Sequence, residues 1–162
     1  MNFVPYNPAV LQVAGLTLPL QGLKILKSQG NANRSSGAYD VSLGSITRGI
    51  YQVPASKTFT LWAVRVQWWI ASGVTVIPAL VYTDNSLAYD GGTAMTNPIG
   101  LLDGVAGTPS STSGSCLTIN TWGSYGYTEI PLGGQAPTGK YVGSYSATAA
   151  LGYAILMYGY EV

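Results

Sequence analysis

Residues 58–72, TFTLWAVRVQWWIAS, decide the fold class of this chain. Bulky β-branched and aromatic residues alternate there with small or polar ones, a period of two that is typical of a β-strand with one buried face. Because successive side chains of a strand point to opposite faces, the adjacent Trp68 and Trp69 must point to opposite sides. The pattern predicts a core face of Trp62, Val64, Val66, Trp68 and Ile70, and an outer face of Ala63, Arg65, Gln67 and Trp69.

Trp69 is therefore an exposed aromatic residue that needs an explanation. Three alternatives stay open: a ring partly covered by a loop, a contact between subunits, and a platform on which a sugar stacks. A second aromatic cluster, Trp122, Tyr125 and Tyr127, lies beside Gly123 and Gly126 and is the other candidate for sugar stacking. Exposed rings with hydrogen-bonding partners nearby would distinguish a sugar site from an ordinary loop or interface.

Short strand patterns recur along most of the chain between clusters of Gly, Pro, Asn and Ser, and no window has a helical period. They predict strands at residues 74–83, 116–122, 127–131, 141–148 and 150–162, with long loops over residues 84–114. In the last strand both faces are apolar, one with Tyr153 and Met157 and the other with Tyr158 and Tyr160. A sandwich normally exposes one face of each sheet, so we expect the outer face of this strand to contact another subunit.

Residues 1–40 follow a different pattern. Residues 3–8, FVPYNP, are held extended by two prolines, and residues 10–26 are apolar without a clean period of either kind. We interpret residues 1–40 as an extended N-terminal arm that reaches over a neighbouring protein, and residues 41–162 as a β-sandwich domain. The alternative is that residues 1–40 supply the first strands of the same domain.

The composition limits the chemistry of the chain. It has 7 Lys and Arg, 6 Asp and Glu and no His, so charged residues make up 8%, against roughly 25% in an average soluble domain. Without His a Ser-His-Asp triad is excluded, and the acids are scattered singly, so we expect no enzyme activity, no cofactor and no metal site. A net charge of +1 gives little basis for binding nucleic acid. So few charges are typical of a surface that is covered by partners, as in a subunit of an assembly.

Local signals for other functions are weak. No run approaches the roughly 20 apolar residues of a membrane span, and the first basic residue is Lys24, so we expect neither a membrane segment nor a secretory signal. The single cysteine, Cys116, fits a protein made in a reducing cytosol. Residues 134–140, GQAPTGK, match the spacing of a phosphate-binding loop, but Tyr141 replaces the required Ser or Thr. We interpret that stretch as a turn between two strands.

Two stretches resemble virion structural proteins of tailed bacteriophages that contain jelly-roll domains. Residues 50–60, IYQVPASKTFT, are similar to a strand, a Pro-Ala-Gly-Lys turn and the start of a long strand in those proteins, with Ser56 in place of the glycine. Residues 151–162, LGYAILMYGYEV, are similar to their closing strand, which ends in Gly-Tyr-Glu. The resemblance covers about a seventh of the chain. It implies that the sandwich is of jelly-roll type. Together with the patterns above, the expected fold is all-β, an antiparallel β-sandwich of jelly-roll type with an extended N-terminal arm.

The resemblance implies one of two roles. The first is a head decoration or cement protein, a homotrimer that is made in the host cytoplasm, sits on the capsid surface of the virion and stabilises contacts between subunits of the major capsid protein. The alternative is a tail-fibre head that binds a receptor or glycan. A short chain with a proline-rich arm favours the decoration role, because a fibre head usually follows a long shaft. The interface residues expected are Phe3, Tyr6, Val10 and Leu11 for docking the arm, Tyr158 and Tyr160 for the self-contact, Arg65 for a pair across it, and the exposed Trp69.

Overall fold

The computed structural model describes residues 9–30, 34–42, 49–69, 75–76, 78–89, 92–110, 113–120, 125–146 and 152–162. These residues form thirteen strands and no helix, and the strands pair antiparallel. The predicted all-β, antiparallel fold is thus confirmed, whereas the jelly-roll strand order stays a prediction. The strands are β1 (Val10–Val13), β2 (Leu16–Pro19), β3 (Leu23–Gly30), β4 (Ser35–Gly37), β5 (Tyr39–Asp40), β6 (Phe59–Trp69), β7 (Thr75–Val76), β8 (Pro78–Thr83), β9 (Ile99–Gly100), β10 (Ile119–Asn120), β11 (Tyr125–Ala136), β12 (Tyr141–Ser146) and β13 (Tyr153–Glu161).

Two sheets enclose the main core. The first has five strands in the order β11-β6-β13-β3-β5, and the second has four in the order β4-β12-β8-β9. β1 pairs with β2 in a separate hairpin, and β7 pairs with β10. Side chains from both larger sheets meet in one buried cluster, with Leu26, Phe59 and Ile155 from the first sheet and Leu80 and Val142 from the second. The chain is therefore a β-sandwich whose core is supplied by strands from both halves of the sequence.

A buried polar cluster also joins the two sheets. The Tyr153 hydroxyl on β13 donates to Ser144 Oγ on β12 at 3.3 Å, and Ser144 Oγ lies 2.7 Å from Ser28 Oγ on β3. Ser28 Oγ in turn donates to the backbone carbonyl of Ser36 on β4 at 3.1 Å. Burial raises the pKa of Tyr153 well above its usual range, so the phenol stays protonated and remains a donor. The cluster satisfies polar groups that would otherwise be costly between the sheets.

A β-bulge at Trp62 changes the predicted faces of β6. On β13, the consecutive residues Tyr158 and Gly159 pair with Ala63 and Leu61, so Trp62 has no partner there. One extra residue reverses the alternation of a strand. Beyond the bulge Val64, Val66 and Trp68 face the core as predicted. The prediction for Trp62 is wrong, because its side chain lies on the outer side and is 50% exposed. Ile70 lies outside the described residues.

The described part of residues 1–40 contributes strands to the sandwich. β3 lies between β13 and β5 in the five-stranded sheet, and β4 lies at one end of the four-stranded sheet. Residues 10–19 form the β1–β2 hairpin, which turns at Ala14 and Gly15, both with positive φ (52° and 76°). From residue 10 onward, these residues therefore do not form an extended arm. Residues 1–8, which include Phe3 and Tyr6, lie outside the described residues.

The β1–β2 hairpin covers the outer face of the C-terminal strand. Val13 and Leu18 of the hairpin form a second buried cluster with Leu23, Ala63 and Tyr158. Tyr158 is 4% exposed, so the prediction that β13 is buried on both faces is confirmed at this position. The prediction that another subunit covers the outer face of β13 is wrong at this position, because a hairpin of the same chain covers it. An apolar pattern requires a covering surface but does not specify which chain supplies it.

Candidate interaction surface

Strands β6 and β11 bring exposed aromatic residues together on the outer side of the five-stranded sheet. Tyr125 lies directly opposite Trp69 in the antiparallel register, Tyr127 lies opposite Gln67, and Glu129 lies opposite Arg65. Alternate residues of a strand share a face, so all six side chains project from the same side of the sheet. Tyr125 is 81% exposed, Tyr127 62% and Trp69 50%. We call the surface of Trp69, Tyr125 and Tyr127 the aromatic face.

Gly152 determines where the Trp69 ring lies. The Trp69 backbone N–H donates to the Gly152 carbonyl at 3.2 Å. A Cβ at residue 152 would overlap the Nε1 edge of the Trp69 indole, so only glycine leaves room for the ring against this part of the backbone. The indole is thus supported by the chain on one edge while half of its surface stays exposed. A preformed ring position lowers the entropy lost when a partner binds.

An ion pair closes one end of the aromatic face. Arg65 Nε donates to Glu129 Oε1 at 2.9 Å, and Arg65 Nη2 bonds the same oxygen. Glu129 Oε2 accepts the backbone N–H of Ala14, at the hairpin turn, at 2.8 Å. This hydrogen bond, followed by those from Arg65, lowers the pKa of Glu129, and the bond to Glu129 raises the pKa of Arg65. The Arg65 guanidinium carbon also lies 5.0 Å from the centroid of the Tyr127 ring, a cation–π distance.

A second exposed aromatic group surrounds the bulge in β6. The Trp62 ring meets the Tyr160 ring edge to face, with centroids 6.3 Å apart. The Tyr160 hydroxyl donates to the Pro19 carbonyl of the hairpin at 2.7 Å. Beside Trp62 is an apolar groove of about 430 Å³, lined by Thr60, Leu61, Trp62, Pro131, Leu132 and Gly133. This group is separated from the aromatic face along β6 by the Arg65–Glu129 pair.

The residues predicted for an interface are distributed over several places. Trp69 is exposed as predicted, and Val10 is 41% exposed at the start of the hairpin. Leu11 is half-buried and packs against the cluster under the hairpin, as does Tyr160. One assignment is corrected: Tyr158 is buried under the hairpin and is not at the surface. Arg65 pairs with Glu129 of its own chain, and a pair across a self-contact stays a prediction.

Sequence reasoning missed two residues that support the aromatic face and misplaced one exposed residue outside it. Glu129 and Gly152 hold Arg65 and Trp69, and their partners are 64 and 83 positions away in the sequence. Trp62 was placed on the wrong face. Tyr125 and Tyr127 were found by their aromatic clustering, but they lie in a long strand and not in a loop. Trp122 lies outside the described residues.

The remaining candidate motifs have structural explanations. Residues 134–140 span the end of β11 and the turn into β12, as predicted, and Lys140 forms an ion pair with Asp84. Asp103 accepts hydrogen bonds from the Ser115 hydroxyl at 2.8 Å and from the backbone N–H groups of Ser115 and Val105 at 3.1 Å, which fixes its own loop. Within the described ranges, no three His, Cys, Asp or Glu residues gather as metal ligands would. Burial raises the pKa of Cys116, so its thiol stays protonated near neutral pH.

The described part of the chain contains no helix of the length and apolarity needed to cross a membrane. The aromatic face is the strongest candidate for a functional surface on grounds of geometry, because three large exposed rings lie together there. Protein-family models, curated proteins and solved structures were compared with the chain, and none of them matches it.

Proposed function

We propose that this protein is a structural subunit of a virion, a head decoration or cement protein that binds the capsid surface and stabilises contacts between subunits of the major capsid protein. The proposal rests on the exposure of three large rings together on the aromatic face. Trp, Tyr and Arg are the residues most enriched where binding energy is concentrated in protein interfaces. Here a Trp and two Tyr are exposed next to an Arg whose charge is already paired with Glu129.

Docking through this face would be driven by apolar burial. Covering the three exposed rings would remove roughly 300 Å² from water, about 7 kcal/mol before the costs of association are subtracted. The Arg65–Glu129 pair stays satisfied within the subunit, so no unpaired charge has to be desolvated. Repeated over many copies on a particle, such contacts raise the free energy needed to separate capsid subunits.

The test is binding to capsids assembled from the major capsid protein. We expect the wild-type protein to sediment with capsids and to raise their melting temperature. A variant with Trp69→Ala, Tyr125→Ala and Tyr127→Ala should lose both effects. Trp62→Ala is the matched control, because Trp62 is as exposed as Trp69 but lies outside the aromatic face. Full binding by the triple variant, or no binding by the wild type, would reject the proposal.

A second candidate is a receptor- or glycan-binding head, as in a tail fibre. It is favoured by one specific observation: Gln67 lies opposite Tyr127 and two residues from Trp69, on the same face of the sheet. Stacking rings with a planar hydrogen-bonding group beside them is an arrangement that suits a sugar. Glycan-array binding that Trp69→Ala abolishes would favour this candidate, and capsid binding without affinity for any sugar would favour the decoration role.

A further inference from the structure

The four edges of the two larger sheets are very unequal. Three of them are short: β5 and β9 have 2 residues each and β4 has 3. The fourth edge is β11, with 12 residues. Short edge strands are a common way in which proteins prevent unwanted pairing of exposed backbone groups. β11 lacks this protection.

Among the described residues, the edge of β11 is free along its first half. Residues 125–130 pair with β6 in a regular register, while the register shifts between Pro131 and Gly134. On the second half, Pro131 has no N–H to donate, and the Leu101 carbonyl closely approaches Gly134. Among the residues that the structure describes, none pairs with residues 125–130 on the side away from β6.

The free segment also lacks the side chains that usually block an edge. Residues 125–130, YGYTEI, contain no Lys, Arg or Pro, and the one charged residue is Glu129. The Glu129 carboxylate is already bonded to Arg65 and to the Ala14 N–H. No free charge is therefore directed at the edge, and a strand placed beside it would meet unpaired N–H and C=O groups and two exposed tyrosines.

We propose that residues 125–130 pair antiparallel with the same residues of a second copy of this chain, which joins two five-stranded sheets into one. A second copy fits because the segment presents the same unpaired backbone to itself, and a net charge of +1 gives little repulsion between copies. Antiparallel pairing of identical strands follows a twofold axis, so the product is a dimer. A trimer built from edges would need a second long edge, and the other three have at most 3 residues. The dimer also places both aromatic faces side by side on one surface.

The test is the molar mass in solution by light scattering over a wide range of protein concentration. We expect the wild-type protein to be a dimer. The double variant Tyr125→Lys and Tyr127→Lys should be a monomer at the same concentrations, because its affinity for a second copy should be at least tenfold weaker. The matched control is Val105→Lys, an equally exposed apolar residue in a loop (60%), which should stay a dimer. A wild-type monomer, a trimer, or a dimer that the double variant leaves intact would overturn the proposal.

A second measurement does not depend on any substitution. Hydrogen exchange of the wild-type protein should show that alternate backbone N–H groups of residues 125–130, those directed away from β6, become protected at high protein concentration. Those of residues 35–37 in β4 should not change. No protection of these edge-facing groups at the highest concentration would overturn the pairing. Both measurements use the isolated protein, so their outcome is separate from that of the capsid-binding test.

Discussion

Arg65 on β6 and Glu129 on β11 lie directly opposite each other, and the Glu129 carboxylate holds both the guanidinium and the backbone N–H of Ala14. One side chain therefore joins the two strands of the aromatic face to the turn of the hairpin. Because the pair is only partly exposed and each carboxylate oxygen is bonded, it is more than an ordinary surface ion pair.

Replacing this carboxylate should loosen both the sheet edge and the hairpin. Glu129→Gln removes the charge and one of the two acceptor oxygens, so either the Arg65 guanidinium or the Ala14 N–H loses its acceptor. We therefore expect the free energy of unfolding to fall by roughly 1–2 kcal/mol. The measurement is urea denaturation at pH 7. The control is Asp84→Asn. Asp84 also binds two partners, Lys140 and Asn97, but its side chain is more exposed than that of Glu129 (35% against 23%), so its loss should change stability less. Equal effects of the two substitutions would contradict the role given to Glu129.

The lowered pKa of Glu129 predicts that its contribution to folding stability depends on pH. Its folded pKa is lowered by the Ala14 and Arg65 hydrogen bonds below the usual 4.5, so the stabilisation is present above that value. It is lost as the pH falls through the lowered folded pKa. We therefore expect the stability difference between wild type and Glu129→Gln to be constant from pH 7 to about pH 5 and to shrink below about pH 4. The measurement is the urea midpoint of both proteins at several pH values. A stability difference between them that stays constant down to about pH 3 would refute the prediction.

The hairpin should behave as a cover held by its buried leucine. Leu18 is 2% exposed, so Leu18→Ala should cost at least about 2 kcal/mol and should increase protease cleavage within residues 10–19. Leu20→Ala is the matched control, because Leu20 is 43% exposed two residues away and its loss should be nearly neutral. Cleavage at the same rate in both variants would show that the hairpin does not depend on this contact.

Gly152 offers a way to move Trp69 without removing it. A methyl group at residue 152 would overlap the indole, so Gly152→Ala should displace the ring, alter its fluorescence and weaken any binding through the aromatic face by roughly tenfold. Gly49→Ala is the control, because nothing lies within 4 Å of the added atom. Unchanged fluorescence and binding in Gly152→Ala would mean that the ring position is not set there.

The sequence predicts single strands of this fold better than it predicts their partners. The alternation in β6 correctly places Val64 in the core and Trp69 outside, because period two follows directly from strand geometry. It fails at Trp62, because one unpaired residue reverses the phase and no local signal marks it. Pairing of Arg65 with Glu129 depends on strand order, which a pattern within one strand does not contain.

The N-terminal hairpin could have been predicted from the sequence. Ala14 and Gly15 separate two apolar segments of four residues, and Gly at such a turn is a recognised hairpin signal. The arm interpretation of residues 1–40 misses this turn, because the apolar residues of 10–26 have no clean period when they are taken as one segment. The sequence does not specify that the hairpin packs on β13, because any apolar surface could cover Tyr158.

The bulge in β6 puts Trp62 and Trp69 on the same side of the sheet although they are seven positions apart, a spacing that would put them on opposite sides of a regular strand. Toward β13, the residues flanking Trp62 already pair with consecutive positions. Deletion of Trp62 would therefore leave Leu61 and Ala63 on the faces they now occupy along that strand. Residue 62 is accordingly where we expect β6 to accept the loss of one amino acid along its β13 edge without turning a core side chain to the outer face.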